Sequence, residues 1–483
     1  MLFPDRTYGI ENEYGTVIEQ VDDHVSDGFT AILKQFLHPI KDSIMPPIPT
    51  TKPRVWHSNG SCTYVDTGDH PEHATAECRL VRDLVAHNKA GEILISRIFA
   101  QSLNHGWVIK LFKNNFGYDE CLNRGDSFGC HENYMVPVFD SLLWSHAERL
   151  IPFLVSRQII DGAGCWEGDT YLHSQRAYAI YSAYAEGAIG GRGIVCSKKS
   201  NDTGSIPRLH LVLGDSNILE CALFLKVGMT SLVLSLIEAG REPRIICNDP
   251  VLSLQRVARQ DPLSRSVGIR AHEDMSPYEI QAAYLSAACH ELSTGEFESE
   301  ETEAELKEIA RLWEQALNAI YSRDTKWMLG RFDWATKKYL GETYLKKHGI
   351  KGWSDRMAIC RDFDLMYHAI SDRTLQERMN KQWPERRIVT DRHIAHASAH
   401  APSHTRAQMR EAFIRYIIAQ GIAPHALVDW AVVGELGNPK HWFTMNDPLE
   451  ARHVAWESFL SSFADQYKQV VKPPLEPPMD VYW

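Results

Sequence analysis

Hydrophobic and polar positions repeat along this chain with two different periods, and each period predicts one kind of element. Apolar residues three or four positions apart predict long helices over 84–103, 141–158, 222–239 and 302–347. Short apolar or alternating stretches predict strands over 63–65, 107–112, 134–138 and 208–215. The pattern therefore predicts a protein that combines strands with long helices.

Acidic side chains lie on single faces or at the ends of the predicted strands. Near the N-terminus Glu11 and Glu13 are two residues apart, so on a strand they point to one face and offer the oxygen ligands that Mg²⁺ accepts. Asp66 directly follows the next short strand, and Glu72 and Glu77 come within eleven residues of it. Because clustered carboxylates repel one another unless cations neutralise them, we interpret this stretch as an active site. An isolated Glu-x-Glu pair is more often a solvated strand face.

Cationic and ligating groups share one face of a later predicted strand. On the strand over 208–215, Arg208 and His210 point the same way, which suits a polyphosphate with its metals. The glycine-rich run over 187–193 lacks the Gly-Lys-Ser/Thr ending of a phosphate loop. We interpret that run as a turn that aims Arg192.

Histidines recur at intervals of three, four and four residues, at His393, His396, His400 and His404. This spacing would line one helix face and is typical of a metal site, but Pro402 interrupts the helix. We interpret the segment as a solvated linker close to a domain boundary. The predicted domains are a catalytic domain over 1–402 and a small C-terminal domain over 403–483.

Composition excludes several classes of function. With 44% hydrophobic and 23% charged residues in 483, the chain has the composition of a soluble globular protein. The net charge of -11 argues against a nucleic-acid partner, since no excess of Lys and Arg exists to displace phosphate counterions. Ten cysteines without a Cys-x-x-Cys pair predict reduced thiols. We find neither a signal peptide nor an apolar run of the roughly 18 residues that span a bilayer, so we expect a cytoplasmic protein without a membrane partner.

Several multi-residue motifs occur in an order typical of one protein family. They are GIENEYG at 9–15, NGSCTYVDTGDHPEHATAEC at 59–78, GCHENYMV at 129–136, RLHLVLGDSN at 208–217 and LVDW at 427–430. In these motifs the chain resembles the Pup ligase family and, more distantly, the paralogous hydrolases that act on the same modifier. The resemblance implies an α+β fold similar to glutamine synthetase, in which a curved antiparallel sheet cradles ATP and is backed by helices, with a small C-terminal domain.

The resemblance also implies a reaction. ATP would convert the C-terminal glutamate γ-carboxylate of a small Pup-like protein modifier into a γ-glutamyl phosphate, and a lysine of a protein substrate would then attack it. Mg²⁺ would accompany ATP. By position in the motifs, metal ligands fall at Glu11, Tyr64 and Glu72, the catalytic proton acceptor at Asp66, ATP contacts at Thr75 and Trp430, and a further site residue at His131.

The chemistry of such a ligation makes three demands on side chains. Metals that screen a triphosphate need ligands, which would come from Glu11, Glu13, Tyr64, Glu72 and His210. The transferring charge needs cations, for which Arg208 and Arg192 are candidates. The lysine amine, with a pKa of about 10.4, must lose a proton before it attacks, and Asp66 is the candidate base.

One position departs from the family pattern. Cys62 stands where the family has an arginine that contacts ATP, and a thiol cannot pair with phosphate. Either another cation, Arg54 or Arg208, compensates, or ATP is held more weakly; in the latter case an arginine at position 62 should tighten ATP binding. For an acidic modifier we expect a basic groove, with Lys198 and Lys199 as candidate members.

Three other functions remain open at this point. A hydrolase that deamidates or removes the modifier is disfavoured, because those relatives carry a long insertion where only 43 residues here separate Gly15 from Asn59. A ligase that uses free glutamate is a second alternative. A nucleotide-binding regulatory protein with an inactive site, suggested by Cys62, is a third.

Overall fold

The computed structural model describes residues 2–20, 29–45, 53–66, 68–117, 127–136, 143–168, 170–185, 191–196, 208–351 and 353–467. Lys198 and Lys199 lie outside these residues. The strands are β1 Tyr8–Glu13, β2 Gly15–Gln20, β3 Ser43–Ile44, β4 Arg54–His57, β5 Cys62–Val65, β6 Pro71–Ala74, β7 Trp107–Phe112, β8 Cys130–Met135, β9 Cys165–Glu167, β10 Thr170–Leu172, β11 Ser182–Ala185, β12 Gly193–Cys196, β13 Arg208–Leu211, β14 Ala426–Val428, β15 Val432–Glu435 and β16 Trp442–Thr444.

Helices make up most of the second half of the chain. They are α1 Phe29–Gln35, α2 Val81–Ala100, α3 Leu143–Ser156, α4 Gln158–Asp161, α5 Glu220–Ala239, α6 Pro250–Arg259, α7 Pro277–Thr294, α8 Glu300–Ser322, α9 Thr325–Met328, α10 Asp333–Lys347, α11 Trp353–His368, α12 Thr374–Gln382, α13 Asp391–Ala399, α14 Ala407–Gln420 and α15 Trp456–Tyr467.

Nine strands form the main sheet, in the order β11-β12-β13-β8-β1-β6-β5-β4-β3. Neighbouring strands are antiparallel except β11 and β12 at one edge, which run parallel. The predicted α+β fold with a largely antiparallel sheet is therefore confirmed, and the parallel edge pair is the departure from it. The first strand of the chain, β1, lies between β8 and β6, so residues far apart in sequence meet around it.

The two faces of β1 have different surroundings because side chains alternate along a strand. Tyr8 and Ile10 are buried in the main hydrophobic cluster with residues of α2 and α5. Asn12 lies on the same face and donates a hydrogen bond from Nδ2 to Oδ1 of Asn88 on α2, at 2.7 Å. Glu11 and Glu13 therefore occupy the opposite face, away from the helices.

The helix α5 corrects one expectation from the sequence. With 20 residues it is long and apolar enough by composition to cross a membrane, although we expected no such run, and its residues from Glu220 to Ile237 are buried inside the protein. It packs against α2, α3, α4, α7 and α8. Its hydrophobicity on all sides is therefore that of a central core helix.

The predicted helix over 302–347 is three helices, α8, α9 and α10. The first ends at Arg323, whose positive φ of 56° breaks the helical path. Asp324 then accepts a hydrogen bond from the backbone of Trp327 and begins α9. Phe332, which precedes α10, is fully buried, as expected for a core aromatic residue.

Residues from Ala407 onward form a small unit with its own sheet. The strands β14, β15 and β16 pair in order, and α14 and α15 flank them. Their apolar side chains form a cluster that also contains Ile44, Trp56 and Cys62 from the edge of the main sheet. This unit therefore packs directly on β3, β4 and β5. Among the described residues, Cys62, Cys78 and Cys130 are buried free thiols.

Candidate active site

Five acidic and imidazole side chains meet on the face of the main sheet that the helices leave open. They come from four adjacent strands: Glu11 and Glu13 from β1, Glu72 from β6, His131 from β8 and His210 from β13. Nδ1 of His131 lies 3.4 Å from Oε2 of Glu11 and 3.9 Å from Oε1 of Glu72. Nε2 of His131 lies 3.7 Å from Oε1 of Glu13. The cluster contains two sets of three possible metal ligands that share His131.

Strand register produces this cluster. In the antiparallel pairs, Glu13 is directly opposite Glu72, and Glu11 is directly opposite His131. Side chains of directly opposed residues lie on the same face, so one face collects all four. His210 joins from the next strand, where its ring lies 5.0 Å from that of His131.

Hydrogen bonds hold the carboxylate of Glu13 on β1 in place. Oε2 of Glu13 accepts from the backbone N–H of Gly129 at 2.7 Å and lies 3.2 Å from Nδ1 of His70. A Cβ at position 129 would lie 2.3 Å from the ring of His131, so this close approach requires glycine. Sequence reasoning missed His70, although it lies within the same motif as Glu72.

Asn133 links the other members of the site. Its Nδ2 donates to Oε1 of Glu11 at 3.3 Å, and its Oδ1 is 2.9 Å from Nδ1 of His210. Nη1 of Arg208 lies 3.5 Å from the same oxygen of Glu11. Sequence reasoning also missed Asn133; its position two residues after His131, hence on the same strand face, was the available signal.

The nearby histidines and arginines balance the negative charge of the cluster only in part. Burial and the charges of Glu11 and Glu13 raise the pKa of Glu72 well above its ordinary value. Burial would also raise the pKa of Glu13, but its hydrogen bond with His70 and the nearby charge of His131 lower that pKa to about 2. The two carboxylates of β1 are thus held ionised while Glu72 resists ionisation. A divalent cation would relieve this repulsion, so the residues present fit a hard metal ion.

Tyr64 and Asp66 extend the cluster along β5. Tyr64 is directly opposite Glu72, and their side chains share a hydrogen bond that favours the carboxylate. Asp66 follows the last residue of β5, as predicted, and is half-buried. Its charge also contributes to the raised pKa of Glu72, after burial and the two acids of β1. Asp66 therefore lies at the margin of the acid cluster.

A cavity opens beside the cluster, between the main sheet and the C-terminal unit. Five of the predicted site residues line it: Glu11, Tyr64, Thr75, Arg208 and Trp430. Arg54 on β4 lines it as well, with its guanidinium 5.4 Å from the centre of the Tyr64 ring. Arg192 does not line this cavity; its guanidinium lies over the ring of Tyr181, 5.9 Å from the centroid.

Glu77 does not join the acid cluster, contrary to the expectation from its spacing. It lines the far wall of the cavity and pairs with two buried arginines of the C-terminal unit, Arg406 at 2.7 Å and Arg410. Arg410 also donates to the backbone carbonyl of Trp430 at 2.6 Å, and its guanidinium lies 5.0 Å from the centre of that indole. The network joins the C-terminal unit to the main sheet beside the cavity. Sequence reasoning missed both arginines.

Cys62 is completely buried and does not line the cavity. It is directly opposite Trp56 on β4 and belongs to the apolar cluster of the C-terminal unit. Arg54 and Arg208, the two cations expected to compensate for Cys62, both line the cavity, and Arg406 lines it as well. The structure thus supports compensation by other cations.

The fold and this site together define an ATP-dependent carboxylate–amine ligase, in which an acid and imidazole cluster on a largely antiparallel sheet borders a cavity lined by three arginines. The family model described as Pup-ligase protein matches residues 6–434. The chain belongs to the Pup ligase family.

Curated relatives and solved structures agree with this assignment. The chain is 35% identical over 397 residues to a Pup–protein ligase of Pseudarthrobacter chlorophenolicus, a match that covers 78% of this chain and 83% of the relative. It is 32% identical over 474 residues to that of Acidimicrobium ferrooxidans, covering 95% and 98%. The ligase PafA solved in complex with the prokaryotic ubiquitin-like protein Pup is 28% identical, with a TM-score of 0.81, over 98% of this chain and 96% of that one. PafA solved with ADP gives 28% identity and a TM-score of 0.76 over 92% and 96%.

Proposed function

We propose that this protein uses ATP to join the C-terminal glutamate γ-carboxylate of a Pup-like modifier to lysines of protein substrates. Membership of the Pup ligase family, with matches over nearly the full length of curated ligases, supports this reaction. The single observation that carries the proposal is the acid and imidazole cluster beside a cavity lined by Arg54, Arg208 and Trp430. A cytoplasmic location fits free buried thiols such as Cys62 and Cys78.

Mg²⁺ ions are the cations that we propose for the acid cluster. Glu11, Glu13 and Glu72 would hold them, with Tyr64 and His210 at the edge of the cluster, because hard oxygen donors suit Mg²⁺. When bound, Mg²⁺ screens the phosphate charge and orients the phosphoryl group for transfer. His131 lies within 4 Å of all three carboxylates, so we assign it the role of fixing their positions.

The nucleotide would occupy the cavity between the main sheet and the C-terminal unit. Arg208 and Arg54 line it and would neutralise phosphate oxygens, while the Trp430 indole offers a stacking surface for the base. The hydroxyl of Thr75 accepts a hydrogen bond from the backbone of Ile10 at 3.1 Å, so its own proton is available to a ligand. Arg192 would contact only those parts of a ligand that extend to β11 and β12 at the edge of the main sheet. We keep 1–402 and 403–483 as the catalytic and C-terminal domains.

Asp66 is the base that we propose for the attacking lysine. It lies at the end of a strand, half-buried, next to the acids that surround the transferring group. The negative charge of this cluster attracts a lysine ammonium, and a carboxylate within hydrogen-bonding reach takes its proton as the amine attacks the activated carbonyl. The Cδ–O bond to phosphate then breaks and an amide remains.

The experiment that tests the function is a conjugation assay with the purified protein. The full chain is incubated with ATP, Mg²⁺, a Pup that ends in glutamate and a lysine-bearing target, and the target mass and ADP release are followed. We expect a target heavier by one modifier, with ADP release that requires the modifier. Unchanged target together with loss of modifier from a supplied conjugate would establish a hydrolase instead. ADP release with free glutamate alone would establish a small-molecule ligase, and nucleotide binding without turnover would establish a regulatory protein.

A further inference from the structure

A second cavity, of about 360 Å³, lies away from the candidate active site and is rich in histidine. It runs between α2, α13 and the start of α14, and we call it the histidine groove. Its polar lining includes two residues of α2 one helical turn apart, and three histidines from α13 and its C-terminal end: Asp83, His87, His393, His396 and His400.

His393 and His396 lie on α13, a helix packed against α2, so the interpretation as a linker is wrong for these two residues. His400 and His404 follow the helix, and all four histidines are exposed to solvent, as expected. Ile394 and Ala397 are buried where α13 packs along α2, and His396 and His400 are exposed on the groove side. The rings of His396 and His400 are 4.7 Å apart. Imidazoles four residues apart on one helix face are a common arrangement for binding a transition metal.

The buried wall of the groove supplies a third imidazole, and one of its ring nitrogens has no hydrogen-bond partner. His87 is only 4% exposed, yet it lines the groove, and its Nδ1 is buried without a hydrogen bond. A buried polar atom without a partner is costly, so it points to a ligand that completes the site.

The position of Glu411 gives a second indication of a metal site. Its carboxylate oxygen lies 3.1 Å from Nδ1 of His400, which leaves Nε2 of that ring as the atom available to a ligand. Glu411 is itself fixed by the backbone of Ala401 at 2.8 Å and by Arg415 at 2.8 Å. Metal-binding histidines usually donate their other ring nitrogen to such a carboxylate.

We propose that the histidine groove binds a transition-metal ion of the Zn²⁺ type through His87, His396 and His400, with Asp83 as fourth ligand and Glu411 orienting His400. Asp83 lines the same groove one helical turn before His87, so its carboxylate is the candidate for the fourth ligand. Among the described residues the ligand atoms of the groove are not yet gathered around one point, unlike those of the acid cluster, so binding requires the exposed side chains of His396 and His400 to change rotamer. The set is imidazole-rich, in contrast to the carboxylate-rich cluster of the active site. The ion would join α2 to α13, next to the C-terminal unit.

The test is a zinc titration of the full chain after treatment with a chelator. Excess Mg²⁺ is present, and wild type is compared with the double variant His396→Ala, His400→Ala. We expect the wild type to bind one more equivalent of Zn²⁺ than the double variant, and Co²⁺ to give a visible d–d band in the wild type alone. His404→Ala is the matched control, since His404 does not line the groove, and it should bind zinc like the wild type.

Two further measurements keep the result interpretable. The double variant should retain conjugation activity with Mg²⁺, which shows that it is folded, because neither histidine belongs to the proposed active site. Glu411→Gln should keep the stoichiometry but weaken zinc binding by about 10-fold to 100-fold. Equal zinc stoichiometry and affinity in wild type and an active double variant would overturn the proposal. An unchanged affinity in Glu411→Gln would remove its orienting role.

Discussion

Glu13 on β1 lies directly opposite Glu72 on β6, and the two ring nitrogens of His131 face them at 3.7 Å and 3.9 Å. Glu72 is almost completely buried, and burial together with the charges of Glu11 and Glu13 disfavours its ionised form. Without metal this carboxyl therefore opposes folding at neutral pH. In the proposed Mg²⁺ site the same carboxylate is a ligand, so Glu72 is expected to lower stability without metal and to support activity with metal.

Glu72→Gln should separate these two effects. Glutamine keeps the shape of the side chain but removes the charge, so the metal-free variant should unfold at a higher temperature than wild type at pH 7. Conjugation activity with Mg²⁺ should fall by about 100-fold or more, because a charge-bearing ligand is lost. Thermal unfolding in chelator and the conjugation assay measure the two quantities. A variant that is less stable than wild type without metal would contradict the repulsion inferred here.

Asp66→Asn should abolish conjugation while leaving nucleotide binding intact. A positioned general base contributes about 10²-fold to 10⁴-fold, so kcat should fall by that factor. ADP affinity, measured by calorimetry, should stay within a few-fold of wild type. Asp69→Asn is the matched control on the same turn, since Asp69 has a φ of 61° that asparagine also tolerates. Normal turnover in Asp66→Asn would exclude the base role.

Local patterns predicted much of this architecture. The acids of β1 lie on one face as their spacing requires, Asp66 follows its strand, and Arg208 shares a face with His210. The family resemblance supplied the α+β fold, which the structure confirms.

The positions that the sequence did not predict depend on long-range packing. Glu77 is five residues from Glu72, but its partners Arg406 and Arg410 are more than 300 residues away. Nothing in the local pattern of 71–78 identifies them. Similarly, the sequence of α13 is mostly polar because its histidines face the groove. Only the packing of this helix on α2 shows that Ile394 and Ala397 are buried.

Cys62→Arg tests a position at which the sequence and the structure lead to different expectations. The sequence alone suggests that an arginine there tightens ATP binding, whereas the structure shows a fully buried thiol within an apolar cluster. The charges of Arg54 and Arg410 already act on this position. We therefore expect the variant to unfold at a lower temperature, without tighter ADP binding. Cys289→Arg, at an exposed cysteine, should leave stability unchanged. A stable variant with tighter ADP binding would contradict this structural argument.

Arg54→Ala tests the cation that we propose in place of the family arginine. Arg54 lines the cavity over Tyr64, and its Nη1 lies 3.8 Å from Oδ1 of Asp429. A hydrogen bond to a charged group contributes about 1.5 to 3 kcal/mol, so ADP should bind about 10-fold to 100-fold more weakly. Arg265→Ala, which removes a surface pair with Glu273, is the control and should bind ADP normally. Unchanged ADP affinity in Arg54→Ala would assign compensation to Arg208 instead.

Glu77→Gln should show how the C-terminal unit is held. Burial alone would raise the pKa of Glu77, but the charges of Arg410 and Arg406 outweigh this effect. The pKa is lowered from an ordinary 4.5 to about 2. A lowered folded-state pKa means that the ionised carboxylate stabilises the fold above about pH 4.5. This contribution, about 3 kcal/mol, is lost as the pH falls from about 4.5 towards 2.

The difference in unfolding temperature between wild type and Glu77→Gln should therefore be large at pH 7 and shrink below pH 4.5. Nucleotide binding should also weaken, since Arg410 contacts Trp430 on the cavity wall. Glu273→Gln breaks an exposed ion pair and is the control, with no expected change in unfolding temperature at any pH. A difference between wild type and Glu77→Gln that stays constant from pH 7 to pH 3 would mean that the arginines do not hold Glu77 ionised. The junction would then depend on the apolar cluster of Trp56 and its neighbours alone.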